Sequence, residues 1–188
     1  MRKSEIRMNL PNLISFGRLL AVPVCVWLIL DANMRAAFWV FAVACLSDAV
    51  DGFIAKKFDS ETVLGGYLDP IADKALLISV FIALGQTGRI ESWLVILVVF
   101  RDAVIILGAY LYHLLYQRLS MQPLLISKIN TAAQFTLAAA VLGMTGFGLD
   151  YPLLGGILVY VVAATTLVSG AAYTVKWGYR AAAMEPGD

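Results

Sequence analysis

The chain is poor in the residues that most metal and redox chemistry uses. It has one histidine, His113, and two cysteines, Cys25 and Cys45. A structural zinc site takes four Cys or His ligands, and this chain has three such residues in all. Both cysteines lie in apolar runs and read as packing residues, neither a disulfide nor a thiol nucleophile. His113, with no second ligand of its kind, reads as an interfacial residue. Charge is also scarce. Asp, Glu, Lys and Arg make up 14% of the chain, against about one quarter in a soluble domain. That excludes an ordinary soluble fold. The 61% hydrophobic content and mean hydropathy of +0.81 imply an integral membrane protein, one membrane-embedded domain over residues 1–188. The net charge of +1 says little, and no nucleic-acid partner is expected. No repeat or low-complexity segment is visible. The first apolar run has no cleavage pattern after it and is long enough to stay as a span.

Six apolar segments follow one another, at roughly Leu13–Leu30, Ala36–Ala55, Gly65–Leu84, Ser92–Leu114, Lys128–Met144 and Leu153–Val175. Each approaches the roughly 20 residues that a bilayer requires. The expected fold is all-α and polytopic, with six transmembrane helices. Met1–Leu10 is basic and reads either as a short surface helix or as a frayed end, with Pro11-Asn12 opening the first span. Pro70 is tolerable near a helix start, where its missing N–H costs nothing.

Six spans put both ends of the chain on one side, together with the loops after the second and fourth spans. That side collects Arg2, Lys3, Arg7, Lys56, Lys57, Arg118, Lys128, Lys176 and Arg180, while the other keeps Arg35 and Arg89. The positive-inside rule makes the basic side cytoplasmic.

What the chain does have is four aspartates in one greasy hairpin. Asp48 and Asp51 end the second span, and Asp69 and Asp73 begin the third. Spacings of three and four place each pair on one helix face. A carboxylate at the centre of a membrane helix costs on the order of 3 kcal/mol, so four of them imply a shared partner. Donor sets of oxygen alone suit Mg²⁺ or Mn²⁺ (two ions in this reading) rather than zinc. Two such ions can clamp the attacking and leaving oxygens of a phosphoryl displacement. Gly52, Ala55 and Gly65 would let the backbone approach a ligand, although small residues also serve helix packing. Lys56, Arg101, Lys128 and Arg18 are candidates to neutralise phosphate. Arg18 and Arg101 fall inside spans, so each must face a polar cavity or pair with an acid. Asp102 beside Arg101 is one such acid.

The stretch from Asp48 to Asp73 reads D-x-x-D-G-x-x-A-K, eight residues, then G-x-x-x-D-x-x-x-D. It resembles the signature of the CDP-alcohol phosphotransferase family, which differs only in having Arg where this chain has Lys56. LPNLISFGR, Leu10 to Arg18, resembles the family's first-span motif. The resemblance implies a six-helix membrane enzyme that transfers a substituted phosphate from a CDP-linked donor to an alcohol and releases CMP. It places Asp48, Asp51 and Asp69 on the metals. Asp73 completes that set and serves as general base. It puts Asn12, Gly52, Ala55, Lys56 and Gly65 in the donor site. Lysine at 56 keeps the charge but loses the bidentate fork.

RDAVIILGAY from Arg101 and ISKINTAAQ from Ile126 resemble the eukaryotic-type cardiolipin synthases. This implies CDP-diacylglycerol as donor and phosphatidylglycerol as acceptor, with Arg101 and Lys128 at the acceptor, and a homodimer by analogy. Glycerol 3-phosphate is the alternative acceptor, as in the phosphatidylglycerophosphate synthases. The short N-terminal segment leads to an expected bacterial cytoplasmic membrane location. A divalent-cation transporter is the reading from another class. It is disfavoured because the acids gather toward one leaflet.

Overall fold

The computed structural model describes residues 2–58, 63–116 and 124–182, with side chains described for 16–47, 71–108 and 124–176. These residues form six α-helices and no strand. They are α1 (Arg2–Leu30), α2 (Met34–Phe58), α3 (Val63–Gln86), α4 (Ser92–Tyr116), α5 (Leu125–Phe147) and α6 (Pro152–Ala182). The all-helical expectation holds, and five of the six begin within three residues of the expected start. The first does not. Helix α1 runs unbroken from Arg2 through Pro11, so the basic N-terminal segment continues the first helix instead of lying apart from it. A proline removes one helical hydrogen bond, and the flanking turns carry the helix across that loss. Pro70 is likewise the eighth residue of α3, past the first turn, so its missing N–H is not one that the helix start leaves spare.

Among the described residues two helical stretches, Leu125–Phe147 and Pro152–Lys176, are by themselves long and apolar enough to cross a membrane. Phe16–Leu30 and Met34–Ser47 are shorter apolar stretches. Large apolar side chains such as Trp27, Leu46, Ile96, Phe100, Leu153 and Tyr160 are exposed, which in water would be an aggregation-prone surface.

The chain forms two compact units: residues 1–90 with 138–151, and residues 91–137 with 152–188. In the first, α1 packs on both α2 and α3. Its core is Ile29, Phe41, Leu76, Leu77, Val80, Phe81 and Leu84. Cys25 is fully buried there, its thiol donating to the Ala37 carbonyl at 3.8 Å. Helix α1 ends with Ala32 at φ 59°. The Asn33 amide donates to the Leu28 carbonyl and the Ala32 amide to the Ile29 carbonyl, the pair of bonds that closes a left-handed helix end. Asn33 then caps α2, accepting from the Ala36 amide. Gly88 (φ 67°) ends α3 in the same way.

These turns gather at one end of the unit. Ala32, Asn33 and Arg35, with Arg89 and Gly146, surround a single cavity of about 420 Å³. There the end of α5 touches backbone. A Cβ on Gly146 would lie 2.8 Å from the Arg35 Cα, so only glycine allows the approach. Arg35 closes over it, its Nε donating to the Gly146 carbonyl at 3.2 Å and its guanidinium lying 5.3 Å from the Phe147 ring centre. The C-terminal turns of α2 and the N-terminal turns of α3, which carry the aspartates, therefore lie at the other end. At 1.5 Å per residue, Asp48 is about 20 Å along α2 from Arg35.

In the second unit α4 packs on α6. Leu94, Val98, Leu137 and Val162 are buried, and Pro152 occupies the first position of α6, where its lack of an N–H is harmless.

Candidate active site

Asp73 is the signature carboxylate whose surroundings are described. It stands on α3, with 29% of its side chain exposed, and accepts from the Arg18 Nη1 at 2.5 Å. Arg18 comes from α1 and is 2% exposed. The requirement that a cation inside a span find an acid is thus met by a residue 55 positions away in sequence. A buried guanidinium against a partly exposed carboxylate fixes the carboxylate's orientation. Asp48 and Asp51 lie on α2 and Asp69 on α3. Their side chains, and those of Asn12, Gly52, Ala55, Lys56 and Gly65, are outside the described residues. Among the described side chains no group of three or more potential metal ligands occurs.

Arg101 and Asp102 form a second ion pair, Nη1 to Oδ1 at 2.6 Å, with side-chain exposures of 3% and 0%. The other terminal nitrogen of Arg101 donates to Ser127 Oγ at 2.7 Å and to Ser169 Oγ. Its Cζ stands 6.0 Å from the Tyr173 ring centre. One guanidinium therefore ties α4 to α5 and α6. One turn further along α5, the Asn130 Oδ1 accepts from Thr165 Oγ1 at 2.8 Å and Thr166 Oγ1 at 2.9 Å. Gln134, one more turn on, is fully buried, and its amide has no hydrogen-bond partner among the described residues. Lys128 is exposed near the start of α5.

Sequence reasoning marked Arg18 and Arg101 as needing partners, and both have them. It missed the two-hydroxyl clasp on Asn130 and the buried Gln134. Their signal was present: Ser127, Asn130 and Gln134 recur at helical spacing along one face of α5, opposite a Thr165-Thr166-Ser169 stripe on α6.

Asp73 and Asp69 are four residues apart on α3, and Asp48 and Asp51 belong to the last turns of α2. The chain belongs to the CDP-alcohol phosphatidyltransferase family, whose sequence profile matches residues 8–169. It is 36% identical over 193 residues to a chloroplastic CDP-diacylglycerol–glycerol-3-phosphate 3-phosphatidyltransferase of Oryza sativa subsp. japonica, covering 90% of this chain and 57% of that protein. It is 33% identical over 181 residues to the cardiolipin synthase (CMP-forming) of Rattus norvegicus, covering 88% of this chain and 60% of that protein. A third relative, the CDP-diacylglycerol–glycerol-3-phosphate 3-phosphatidyltransferase of Rickettsia prowazekii, is 30% identical and matched over 95% of its length. The chain thus spans less than two thirds of the rice and rat proteins. Dependence on a divalent cation is general in the family.

Proposed function

We propose that this chain transfers a phosphatidyl group from CDP-diacylglycerol to the hydroxyl of phosphatidylglycerol, giving cardiolipin and CMP. The observation that carries the reading is the Arg18–Asp73 pair, because it restrains the last carboxylate of a family signature that keeps all four aspartates before any substrate arrives. Asp73 takes the proton of the acceptor hydroxyl as that oxygen attacks the β-phosphorus of the donor. The bond from that phosphorus to the CMP oxygen breaks. With one Asp73 oxygen engaged by Arg18, Asp48, Asp51 and Asp69 are the residues that would hold Mg²⁺ or Mn²⁺. Their donor set, oxygen only, fits such an ion. When bound, two such ions would offset the negative charge of the diphosphate. Lys56 supplies a further positive charge to the donor phosphates, while Asn12, Gly52, Ala55 and Gly65 line the nucleotide pocket.

Residues 1–188 act as one membrane-embedded domain of six spans in this reading, supported by a family match that runs through both compact units. The skew of Lys and Arg supports a cytoplasmic active site. Relatives of the Rickettsia type support a bacterial cytoplasmic membrane. The assembly proposed by family analogy is a homodimer.

Glycerol 3-phosphate is the second acceptor reading, favoured by the names of the rice and Rickettsia relatives. Lys128, exposed at the start of α5, would meet the acceptor phosphate in either case. Arg101 would act there by holding α5 against α4 and α6. A side-by-side assay with labelled phosphatidylglycerol and labelled glycerol 3-phosphate separates the two. Product from glycerol 3-phosphate alone would assign the second acceptor.

A further inference from the structure

The first unit carries a polar cavity that the transfer chemistry does not use. It is the space of about 420 Å³ bordered by Asn33, Arg35, Arg89, Thr145 and Gly146, at the end of the unit away from the aspartates. That volume is within the range of small-molecule sites, roughly 300–1,000 Å³. Arg35 and Arg89 are the only Lys or Arg in residues 31–36, 86–92 and 145–153, and both border it. The same segments hold three carboxylates, Asp31, Glu91 and Asp150. None of these borders the cavity, and neither arginine forms an ion pair among the described residues. Arg35 is set in place by the Nε bond to the Gly146 carbonyl, and its two terminal nitrogens make no hydrogen bond among the described residues. The Thr145 hydroxyl is spare too. Thr87, Thr131, Thr136, Thr165 and Thr174 each donate to the carbonyl four residues back. Thr145 makes no side-chain hydrogen bond among the described residues.

These donors select an anion. Two guanidiniums on one cavity repel each other, and a negative group between them offsets that repulsion. A phosphate suits the set, because its several acceptor oxygens can meet two guanidinium forks and a hydroxyl at once. Trp39, one turn along α2 from Arg35, and Tyr151, in the turn after α5, are both more than half exposed. Such aromatic residues mark a membrane–water interface, which puts the cavity at headgroup depth. We propose that this cavity binds a phosphate group at the membrane surface, as a second anion site apart from the aspartate hairpin. The chemistry is common to an anionic phospholipid headgroup and to free phosphate. Bound there, the anion clamps the α1–α2 turn to the segment after α3 and to the end of α5, and stabilises the folded chain by mass action. The site stands whether or not the transfer reading does.

Two measurements test it, both on the full chain in uncharged detergent micelles with a chelator present, so that the aspartates hold no metal. In the first, dioctanoyl phosphatidic acid, inorganic phosphate and dioctanoylglycerol are titrated separately at constant ionic strength, and the rise in thermal midpoint gives an apparent Kd for each. Phosphatidic acid, phosphate or both should raise the midpoint of the wild type. Arg89→Gln removes a side chain that has no partner to lose, and should weaken this binding about tenfold, the worth of one charge-assisted hydrogen bond. Thr145→Val should weaken it in the same direction. A response to phosphatidic acid alone assigns the ligand as a lipid headgroup, and a response to inorganic phosphate shows that the free ion suffices. No response to either anion, equal affinity in the wild type and Arg89→Gln, or an equal rise with dioctanoylglycerol would overturn the proposal. In the second, hydrogen exchange locates the bound anion. Peptides covering residues 31–37 and 86–91 should exchange more slowly in the wild type and not in Arg89→Gln. Slowing confined to peptides of residues 47–73 would place the anion at the hairpin and overturn the site.

Discussion

Replacing Arg101 by methionine tests whether the second unit is held by an ion pair or by its apolar surface. Methionine keeps the length of the side chain and removes the charge. It takes away the Nη1 bond to Asp102 and the Nη2 bonds to Ser127 and Ser169. The Asp102 side chain is 0% exposed, so its carboxylate loses the guanidinium without gaining water. Breaking one side of a buried pair costs about 3–5 kcal/mol. The two lost hydroxyl contacts, at about 1 kcal/mol each, overlap with that figure and do not add to it. Arg101→Met should therefore lower the unfolding free energy by about 3 kcal/mol or more. Arg101→Met with Asp102→Leu replaces the pair by apolar groups, a change that is often neutral or stabilising by about 1–4 kcal/mol. The double variant should recover most of the loss. The assay is reversible denaturation in detergent micelles, run as a double-mutant cycle. A cost below about 1 kcal/mol for Arg101→Met, or a double variant no more stable than the single, would refute the reasoning. Activity of the double variant adds a second readout. If Arg101 acts only as a clasp, transfer returns with stability. If it touches the acceptor, transfer stays low with a raised KM for the acceptor.

Asp73→Asn should lower turnover by roughly 10²- to 10⁴-fold, the usual worth of a general base, while donor binding measured by equilibrium titration persists. Lys56→Ala should mainly raise the KM for the CDP donor and Lys56→Arg should be mild, which steady-state kinetics over a donor series will show. Gly146→Ala brings a Cβ within 2.8 Å of Arg35 backbone, and overpacking strain of about 1–3 kcal/mol outweighs the gain of up to about 1 kcal/mol in helix propensity. Gly156→Ala meets nothing within 4 Å and should stabilise instead, so opposite shifts in thermal midpoint are expected for the two.

The helices were legible because their apolar runs are long and their breaks are marked by Asn33, Gly88 and Pro152. Where they begin and end was less so. A membrane span is set by apolar length, whereas the helix continues beyond it wherever backbone bonding persists, as at Arg2–Leu10 and after Val175. The prolines misled in the same way, since Pro11 and Pro70 are absorbed inside helices. At the site, the sequence placed the aspartates on their two helices. The pairing of Arg18 with Asp73 was not readable, because any of several acids could have answered an arginine in a span. The Asn130 clasp was missed because hydroxyls on α6 carry no charge and therefore no demand for a partner that sequence displays.

The most direct test is CMP release by the purified protein, measured together with the lipid product. CDP-diacylglycerol, phosphatidylglycerol and Mg²⁺ should give CMP and cardiolipin in equal amounts. A chelator should abolish the reaction, and so should substitution of Asp48, Asp51, Asp69 or Asp73 by asparagine in separate variants that still fold. Turnover that survives both the chelator and every aspartate variant, or no CMP from CDP-diacylglycerol with either acceptor, would contradict the assignment of this hairpin as a phosphatidyl-transfer site.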